Sequence, residues 1–553
     1  MDVAGPALLL GIVVLGCALR LHDPLSTPVI GAEDPYTHLV LTKEALARGW
    51  FGGSQWLGGT GYPPGLHALG GVLAADSGTP LETWVMFAPI AFGALAIVGT
   101  FALANKLSGP VAGLVAALLV AVMPEHIFRT ELYFPTALDM AMIPAYLLAF
   151  VLATESGASR SQQGGAIALF AVLTAALAFA HPWVVPLMLV PAAIWLALRV
   201  LREGAPFEPS LRRLLPGAIM VVLGASFAIA SRWDHTDSGF ASFFDHLGPL
   251  RVLSALSLPG VLLFPVFVVV LGLVAAPGVL LVAGLARVRL SRPTRIALGI
   301  ACAAVALAAV QLLARTPQPG VNYRNMLGRV ALDLGLAGLA VAFIAPSSLG
   351  DLGVGLCAFT YPLTALNVFN SSFWPQRTVV YLSLGVALLA GAAVATVVGA
   401  LLAWRPLRAP RRASWIAPVA SIAAVLLVAG AVQAAPAHPY PWYRLYTNAE
   451  YSLIKDTNAM VDKDPGARII VYSWQPGLFL KATGNPDQVR YCPDCYRDEA
   501  QRSAAMSESH GALYAVVDKY TDKDAQKGKA DESWLSGARL VSQAGQWRVY
   551  QVR

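Results

Sequence analysis

Apolar residues fill long, almost unbroken stretches of this chain, and polar residues collect in the intervals between them. Apolar runs near 3–19, 84–104, 108–124, 133–153, 165–181, 183–200, 215–231, 257–286, 296–313, 330–346, 352–369, 378–402 and 414–433 each have roughly the 20 residues that an α-helix needs to cross a bilayer. The pattern predicts a polytopic α-helical membrane protein with about thirteen transmembrane helices. Beyond residue 435 the pattern changes, and Pro436, Pro439 and Pro441 mark the change. Short apolar strings at Arg468–Tyr472, Ala512–Val517 and Trp547–Val552 read as buried strands, with a polar, helix-like stretch over Asp494–Glu508. The expected organisation is a membrane domain over 1–435, with a long first outer loop at 20–83, and a soluble α/β domain over 436–553.

Composition sharpens this picture. Of 553 residues, 56% are hydrophobic and 13% charged, against about 25% charged in soluble domains, which excludes an ordinary soluble protein. The net charge of +7 is no sign of a nucleic-acid partner, because basic residues in such a chain mark the cytoplasmic side. Dense clusters (Arg199, Arg202, Arg212, Arg213; Arg287, Arg289, Arg292, Arg295; Arg405, Arg408, Arg411, Arg412) fall in alternate intervals. With a cytoplasmic N-terminus and an odd number of spans, the C-terminal domain lies outside a cell (plasma) membrane. The first apolar run lacks a basic leader and a clear small-residue cleavage site, so it reads as a retained helix. Within the first outer loop, Pro35–Trp50 suits an amphipathic helix lying on the membrane surface, with Tyr36, Leu39, Val40 and Leu46 as its apolar face. Cys17, Cys302 and Cys357 sit in apolar helices. Cys492 and Cys495 have no second pair with which to build a four-cysteine zinc site, and outside the cell their spacing reads as a local disulfide.

The candidate chemistry gathers on the outer side. Glu33 and Asp34 form an acidic pair at the membrane–water boundary. Such carboxylates suit a hard divalent cation, Mg2+ or Mn2+, often shared with a phosphate; Asp34-Pro35 is equally a good helix start. Asp139 lies inside a segment otherwise fit to span, where an ionisable group marks a functional site or a polar contact between helices. Arg129 and Glu131 precede it on the same edge, and their plain reading is a charge pair. Arg377 opens a span, where a guanidinium binds phosphate or snorkels to headgroups. His181-Pro-Trp183, Trp233-Asp-His235 and Asp245-His246 read as interfacial belt or packing residues. No P-loop, nucleophile elbow or dinucleotide fingerprint is present.

Gly31-Ala-Glu-Asp34-Pro-Tyr-Thr-His38 resembles the first-loop motif of the oligosaccharyltransferase catalytic subunit, in its archaeal forms especially. Tyr62-Pro-Pro-Gly65 is similar to a later part of that loop, and Phe128-Arg-Thr130 with Ala137-Leu-Asp139-Met140 resembles the family's second acidic motif. Trp374-Pro-Gln-Arg377 and the following Val380–Gly391 resemble the helix whose Arg holds the donor pyrophosphate. The resemblance implies a GT-C membrane glycosyltransferase using a polyprenyl- or dolichyl-linked sugar donor and a divalent metal, Mn2+ or Mg2+. It makes Glu33 and Asp34 catalytic, Asp34 and Asp139 metal ligands, and Arg377 and Arg129 the donor-phosphate site. It implies protein asparagine as acceptor, membrane lipids as surroundings, no nucleic acid, and compatibility with a single-subunit enzyme.

The departures are specific. Ala137 and Ala141 flank Asp139 where the family carries a second acid, and Thr316-Pro-Gln-Pro319 stands where its mobile-loop Glu is expected. The family's Trp-Trp-Asp-Tyr-Gly acceptor motif is matched only by Trp474, Gln475 and Gly477 within Ser473–Gly477, with Gln in place of the Asp that reads the sequon hydroxyl. A lipid or glycan hydroxyl is therefore the alternative acceptor. Rivals of another class are a transporter or flippase of lipid-linked anions and an inactive homologue.

Overall fold

The computed structural model describes residues 4–26, 34–48, 63–155, 158–181, 184–203, 326–365, 373–403, 447–518, 521, 524 and 530–553. The expected spans near 215–231, 257–286, 296–313 and 414–433, most of the basic clusters, and the domain boundary at 435 lie outside the described residues. The chain divides into two compact units, one of Met1–Leu21, Pro89–Glu131 and Pro135–Tyr440, the other of His22–Ala88, Leu132–Phe134 and Pro441–Arg553.

The first unit is helical. It takes in most of α1 (Ala4–Ser26) and α4 (Leu81–Ser108), then α5 (Pro110–Val122), α6 (Pro124–Glu131), α7 (Pro135–Ala153), α8 (Arg160–Ala180), α9 (Val184–Glu203), α10 (Arg329–Ile344), α11 (Ser348–Ala365) and α12 (Phe373–Ala403). Among the described residues five helices are long and apolar enough to cross a membrane, or six if the bent pair α5–α6 counts as one span. The chain is a multi-pass membrane protein.

Glycines set the close packing around α12. A Cβ on Gly338 of α10 would collide with the Leu389 backbone, one on Gly385 would lie 2.8 Å from Cys357 Sγ of α11, and one on Gly391 would lie 2.8 Å from the Ala112 carbonyl of α5. Small residues draw membrane helices together where lipid provides no hydrophobic drive for association.

The break between α5 and α6 has a definite cause. Pro124 carries no N–H, so the Val120 carbonyl loses its helical partner, and the axis bends by 64°. Arg20 of α1, fully buried, occupies the gap. It donates to Val120 O at 3.3 Å, Ala121 O at 3.0 Å, Thr130 Oγ1 at 2.6 Å and Gly16 O at 2.9 Å. Carbonyls freed in an apolar medium must find a donor, and one guanidinium fork supplies several. Gly93 of α4 leaves room for it, since a Cβ there would collide with the Arg20 side chain.

The second unit joins two helices of the first outer loop, α2 (Asp34–Arg48) and α3 (Gly65–Ser77), to the C-terminal region. That region contains α13 (Asn448–Val461), β1 (Arg468–Val471), α14 (Trp474–Thr483), β2 (Val489–Tyr491), α15 (Glu499–Ser507), β3 (Leu513–Val517), β4 (Arg539–Ala544) and β5 (Trp547–Gln551). The strands form one mixed sheet in the order β2-β1-β3-β5-β4; β1 runs parallel to β2 and β3, while β5 is antiparallel to β3 and β4. The three strings read as strands coincide with β1, β3 and β5. The expected helix over Asp494–Glu508 is split into a 3-10 turn at Pro493–Tyr496 and α15. Asp464 aligns β1 with β3, taking the Gly466 N–H on Oδ1 and the Ala512 N–H on Oδ2, both at 2.9 Å. Cys492 and Cys495 are disulfide-bonded beside β2.

The apolar face of α2 is not spread on a lipid surface. Tyr36, Leu39 and Val40 are fully buried, and the Tyr36 ring lies 3.7 Å from that of Phe479 on α14. Leu46 alone of the expected face is exposed. The protein itself covers this helix, because the periodicity that suits a membrane surface equally suits a protein core.

Candidate functional site

Within the helical unit, Asp139 occupies the second turn of α7 and is completely buried. The Nδ1 of His181, at the C-cap of α8, lies 2.6 Å from Asp139 Oδ2. The Tyr381 hydroxyl of α12 donates to the same oxygen at 3.2 Å. Oδ1 is buried and has no hydrogen-bond partner among the described residues. A buried carboxylate oxygen without a partner costs roughly 1–3 kcal/mol or more. Three helices, the consecutive α7 and α8 and the distant α12, thus converge on one carboxylate, and the belt or packing role expected for His181 is replaced by a direct contact. Sequence reading had no signal for this beyond the position of His181 near the outer end of its span.

Arg129, expected at a donor phosphate, donates its Nε to Glu125 Oε1 at 2.8 Å, and its guanidinium lies 5.3 Å from the Phe128 ring centre. That contact is a buried ion pair with Glu125, one turn back on α6. Around this pair α6 is buried on all sides, and it carries His126, whose two ring nitrogens have no partner among the described residues. No motif marks Glu125 and His126 in the sequence, because they fall in a short stretch of mixed polarity after a proline. Arg377 lies near the start of α12; its side chain is outside the described set.

In the second unit, Asp34 opens α2 and is exposed. Glu33 lies outside the described residues, as does Thr316–Pro319. One turn after Asp34, His38 is buried with its Nδ1 3.1 Å from Nε2 of buried His67 on α3. Burial holds the His67 imidazole down to about 4, against a raising contribution from the Pro63 backbone. Lys43 binds Glu82 Oε1 at 3.2 Å and the Gly484 carbonyl at 3.1 Å, tying α2 to the C-terminal end of α14; its pKa is lowered, chiefly by burial. Tyr133, its hydroxyl pKa raised by burial, donates to Leu66 O at 2.8 Å and so anchors α3. Trp474, Gln475 and Gly477, matched to the acceptor motif, form the first turn of α14 after Ser473, whose hydroxyl donates to Asp518 Oδ1 at 2.8 Å. The Trp474 and Gln475 side chains are outside the described set. Among the described residues no three His, Cys, Asp or Glu side chains lie close enough together to hold a metal ion.

A family of unknown function, DUF6541, matches residues 45–291. No curated protein matches the chain in sequence. Solved structures do match. The Archaeoglobus fulgidus oligosaccharyltransferase tethered to an acceptor peptide containing the NVT sequon is 16% identical at a TM-score of 0.59, over 99% of this chain and 74% of that one. The same enzyme in complex with Zn and sulfate is 15% identical at a TM-score of 0.56, over 98% and 72%. ArnT from Cupriavidus metallidurans bound to undecaprenyl phosphate is 14% identical at a TM-score of 0.43, over 100% and 98%. The likeness to the archaeal enzyme shows the fold alone: this chain has the fold of the Archaeoglobus fulgidus oligosaccharyltransferase.

Proposed function

We propose that the chain is a membrane glycosyltransferase that moves a sugar or oligosaccharide from a polyprenyl (dolichyl) phosphate or pyrophosphate to an acceptor outside the membrane, with protein asparagine as the first acceptor to test. The observation that carries the reading is Asp139: a buried carboxylate with one oxygen that has no partner among the described residues, set in the fold of an oligosaccharyltransferase.

In transfer, the bond between the sugar C1 and the phosphate oxygen breaks and a bond from the acceptor to C1 forms. The acceptor proton goes to a base, and charge collects on the leaving phosphate. Asp34, exposed at the head of α2, is the base in this reading. Arg377 neutralises the leaving phosphate, for which a guanidinium is well shaped. Asp139 is the cation ligand in this reading, because Oδ1 is buried and has no hydrogen-bond partner among the described residues. Such an ion, when bound, polarises phosphoryl oxygen. Glu33 and Arg129 are auxiliary to these roles, and Trp474, Gln475 and Gly477 are the acceptor-facing segment.

A second reading has a specific support. Gln475 replaces the acid that would read the sequon hydroxyl, which favours a lipid or glycan hydroxyl as acceptor. The test is transfer of labelled glycan from a lipid-linked donor pool to an Asn-x-Thr peptide, with Mn2+ and with chelator, using wild type and Asp34→Ala. Metal-dependent product that vanishes in the variant supports the asparagine acceptor. Donor consumption without peptide product moves the acceptor to a hydroxyl. Well-folded protein that leaves a competent donor pool untouched refutes the transferase reading and brings transport or a structural role forward.

A further inference from the structure

The two buried histidines of the second unit fix each other's protons. His38 lies one turn after Asp34 on α2, so both occupy one face of that helix. Side chains on a helix lean toward its N-terminus, which carries the His38 ring toward Asp34. His38 Nδ1 lies 3.1 Å from Nε2 of His67. With Nε2 turned to His38, the nitrogen of His67 that bonds to the backbone of Pro63, one turn back, is Nδ1. Proline has no N–H, so that partner is the Pro63 carbonyl and His67 Nδ1 is the donor. A neutral imidazole has one N–H, and burial keeps His67 neutral down to about pH 4. His67 Nε2 is therefore an acceptor, and His38 Nδ1 carries the proton between the two rings. The lone pair of neutral His38 is then on Nε2. Tyr133 holds α3 in place at this point, donating to Leu66 O at 2.8 Å.

We infer that His67 is a positioning residue that holds His38 in the Nδ1–H tautomer, so that His38 Nε2, on the Asp34 face of α2, accepts a hydrogen bond from an N–H of the substrate asparagine carboxamide. The inference rests on the reading of Asp34 as the base and of asparagine as the group that receives the sugar. A carboxamide nitrogen carries two N–H groups. One gives its proton to Asp34 as the bond from nitrogen to the sugar C1 forms and the bond from C1 to the phosphate oxygen breaks. The other stays on nitrogen, and in a site closed to water it needs a hydrogen-bond acceptor of its own. His38 Nε2 supplies one, and neither imidazole gains or loses a proton in the step. The opposite tautomer would set an N–H of His38 against an N–H of the amide. His67 thus touches neither substrate, yet decides whether its neighbour attracts or repels the reacting nitrogen. The bond made by one ring nitrogen sets the chemistry of the other, as in the imidazole of a hydrolase triad.

The test uses the purified, detergent-solubilised full chain, labelled with 15N-histidine and held at neutral pH. Nitrogen NMR separates protonated from bare ring nitrogens, and the signals lost in His38→Gln assign His38. The expected wild-type spectrum has His38 protonated on Nδ1 and bare on Nε2. An Nε2–H tautomer there overturns the inference, and this measurement decides if no variant at position 67 folds. His67→Phe removes the partner of the His38 Nδ1–H. It should move the His38 proton to Nε2 and lower kcat for transfer to an Asn-x-Thr peptide about tenfold or more, with KM for the lipid-linked donor unchanged. His67→Gln, whose side-chain oxygen accepts from Nδ1–H, should restore both the tautomer and the rate. A role in folding alone would shift thermal stability without moving the His38 proton. A proton that stays on Nδ1 in His67→Phe, or a wild-type kcat once it has moved, overturns this inference alone. Full transfer by Asp34→Ala, or no transfer by the wild type from a competent donor pool, overturns the reading beneath it.

Discussion

Removing Arg20 tests the account of the broken helix. Arg20→Met keeps the length and apolar stem of the side chain but leaves Val120 O and Ala121 O, now 3.3 and 3.0 Å from its guanidinium, without these donors. Each buried carbonyl left unsatisfied costs about 1–3 kcal/mol, so the pair amounts to about 2–6 kcal/mol. The Thr130 hydroxyl adds little, because it still donates to the His126 carbonyl. An opposing effect is real: a buried charge costs several kcal/mol to desolvate, and replacing it with an apolar side chain can be neutral or stabilising when its partners go too. Here the partners are backbone carbonyls at the Pro124 break, and they stay, so the loss wins. Equilibrium unfolding of the detergent-solubilised protein in SDS measures the difference, with Thr130→Val as a reference at about 1 kcal/mol. Hydrogen exchange over residues 119–127 should rise in Arg20→Met and change little in Thr130→Val. An Arg20→Met protein within 1 kcal/mol of wild type would refute the reasoning, since charge burial would then outweigh the capping.

Two further outcomes follow from packing and burial. His67 is held near 4 when folded and sits near 6.5 when unfolded, so the unfolded chain binds the extra proton between those values. Its neutral form therefore stabilises the fold above about pH 6.5, and that contribution, about 3 kcal/mol in full, is lost as pH falls toward 4. Thermal unfolding from pH 4 to 7 should show the slope in wild type and a flatter one in His67→Phe; equal slopes would exclude His67 as its source. Gly338→Ala should cost about 1–3 kcal/mol or more, because its methyl would meet the rigid backbone of Leu389 and not a movable side chain. Gly399→Ala, on the same packed helix array but with open space at its Cβ, is the matched control, and comparable losses in both would contradict the packing account.

Membrane character, the segments that became β1, β3 and β5, and the acidic positions 34 and 139 were legible in the chain because each depends on local pattern. Twenty apolar residues have one favourable environment whatever surrounds them, and a run such as Leu513–Val517 suits a strand covered on both faces. The short β2 and the exposed, polar β4 escaped notice because neither carries such a run. The apolar face of α2 was read correctly as a face and wrongly as a lipid contact, since periodicity says which side is buried and not what buries it. Arg20 was invisible as well: at the end of a span, an Arg signals an interface, and only the bend at Pro124 turns it into a cap for another helix. His181 looked like a belt residue until α7, α8 and α12 brought it, Asp139 and Tyr381 together over separations of 42 and 242 residues. By itself the sequence determined which segments are apolar enough to span a bilayer and the chemistry available along the chain, because those follow from residue type and spacing. Which buried polar groups meet, which carbonyls need a donor, and which carboxylate oxygen is left open were decided only in the tertiary structure, because they depend on contacts between helices that no local pattern encodes.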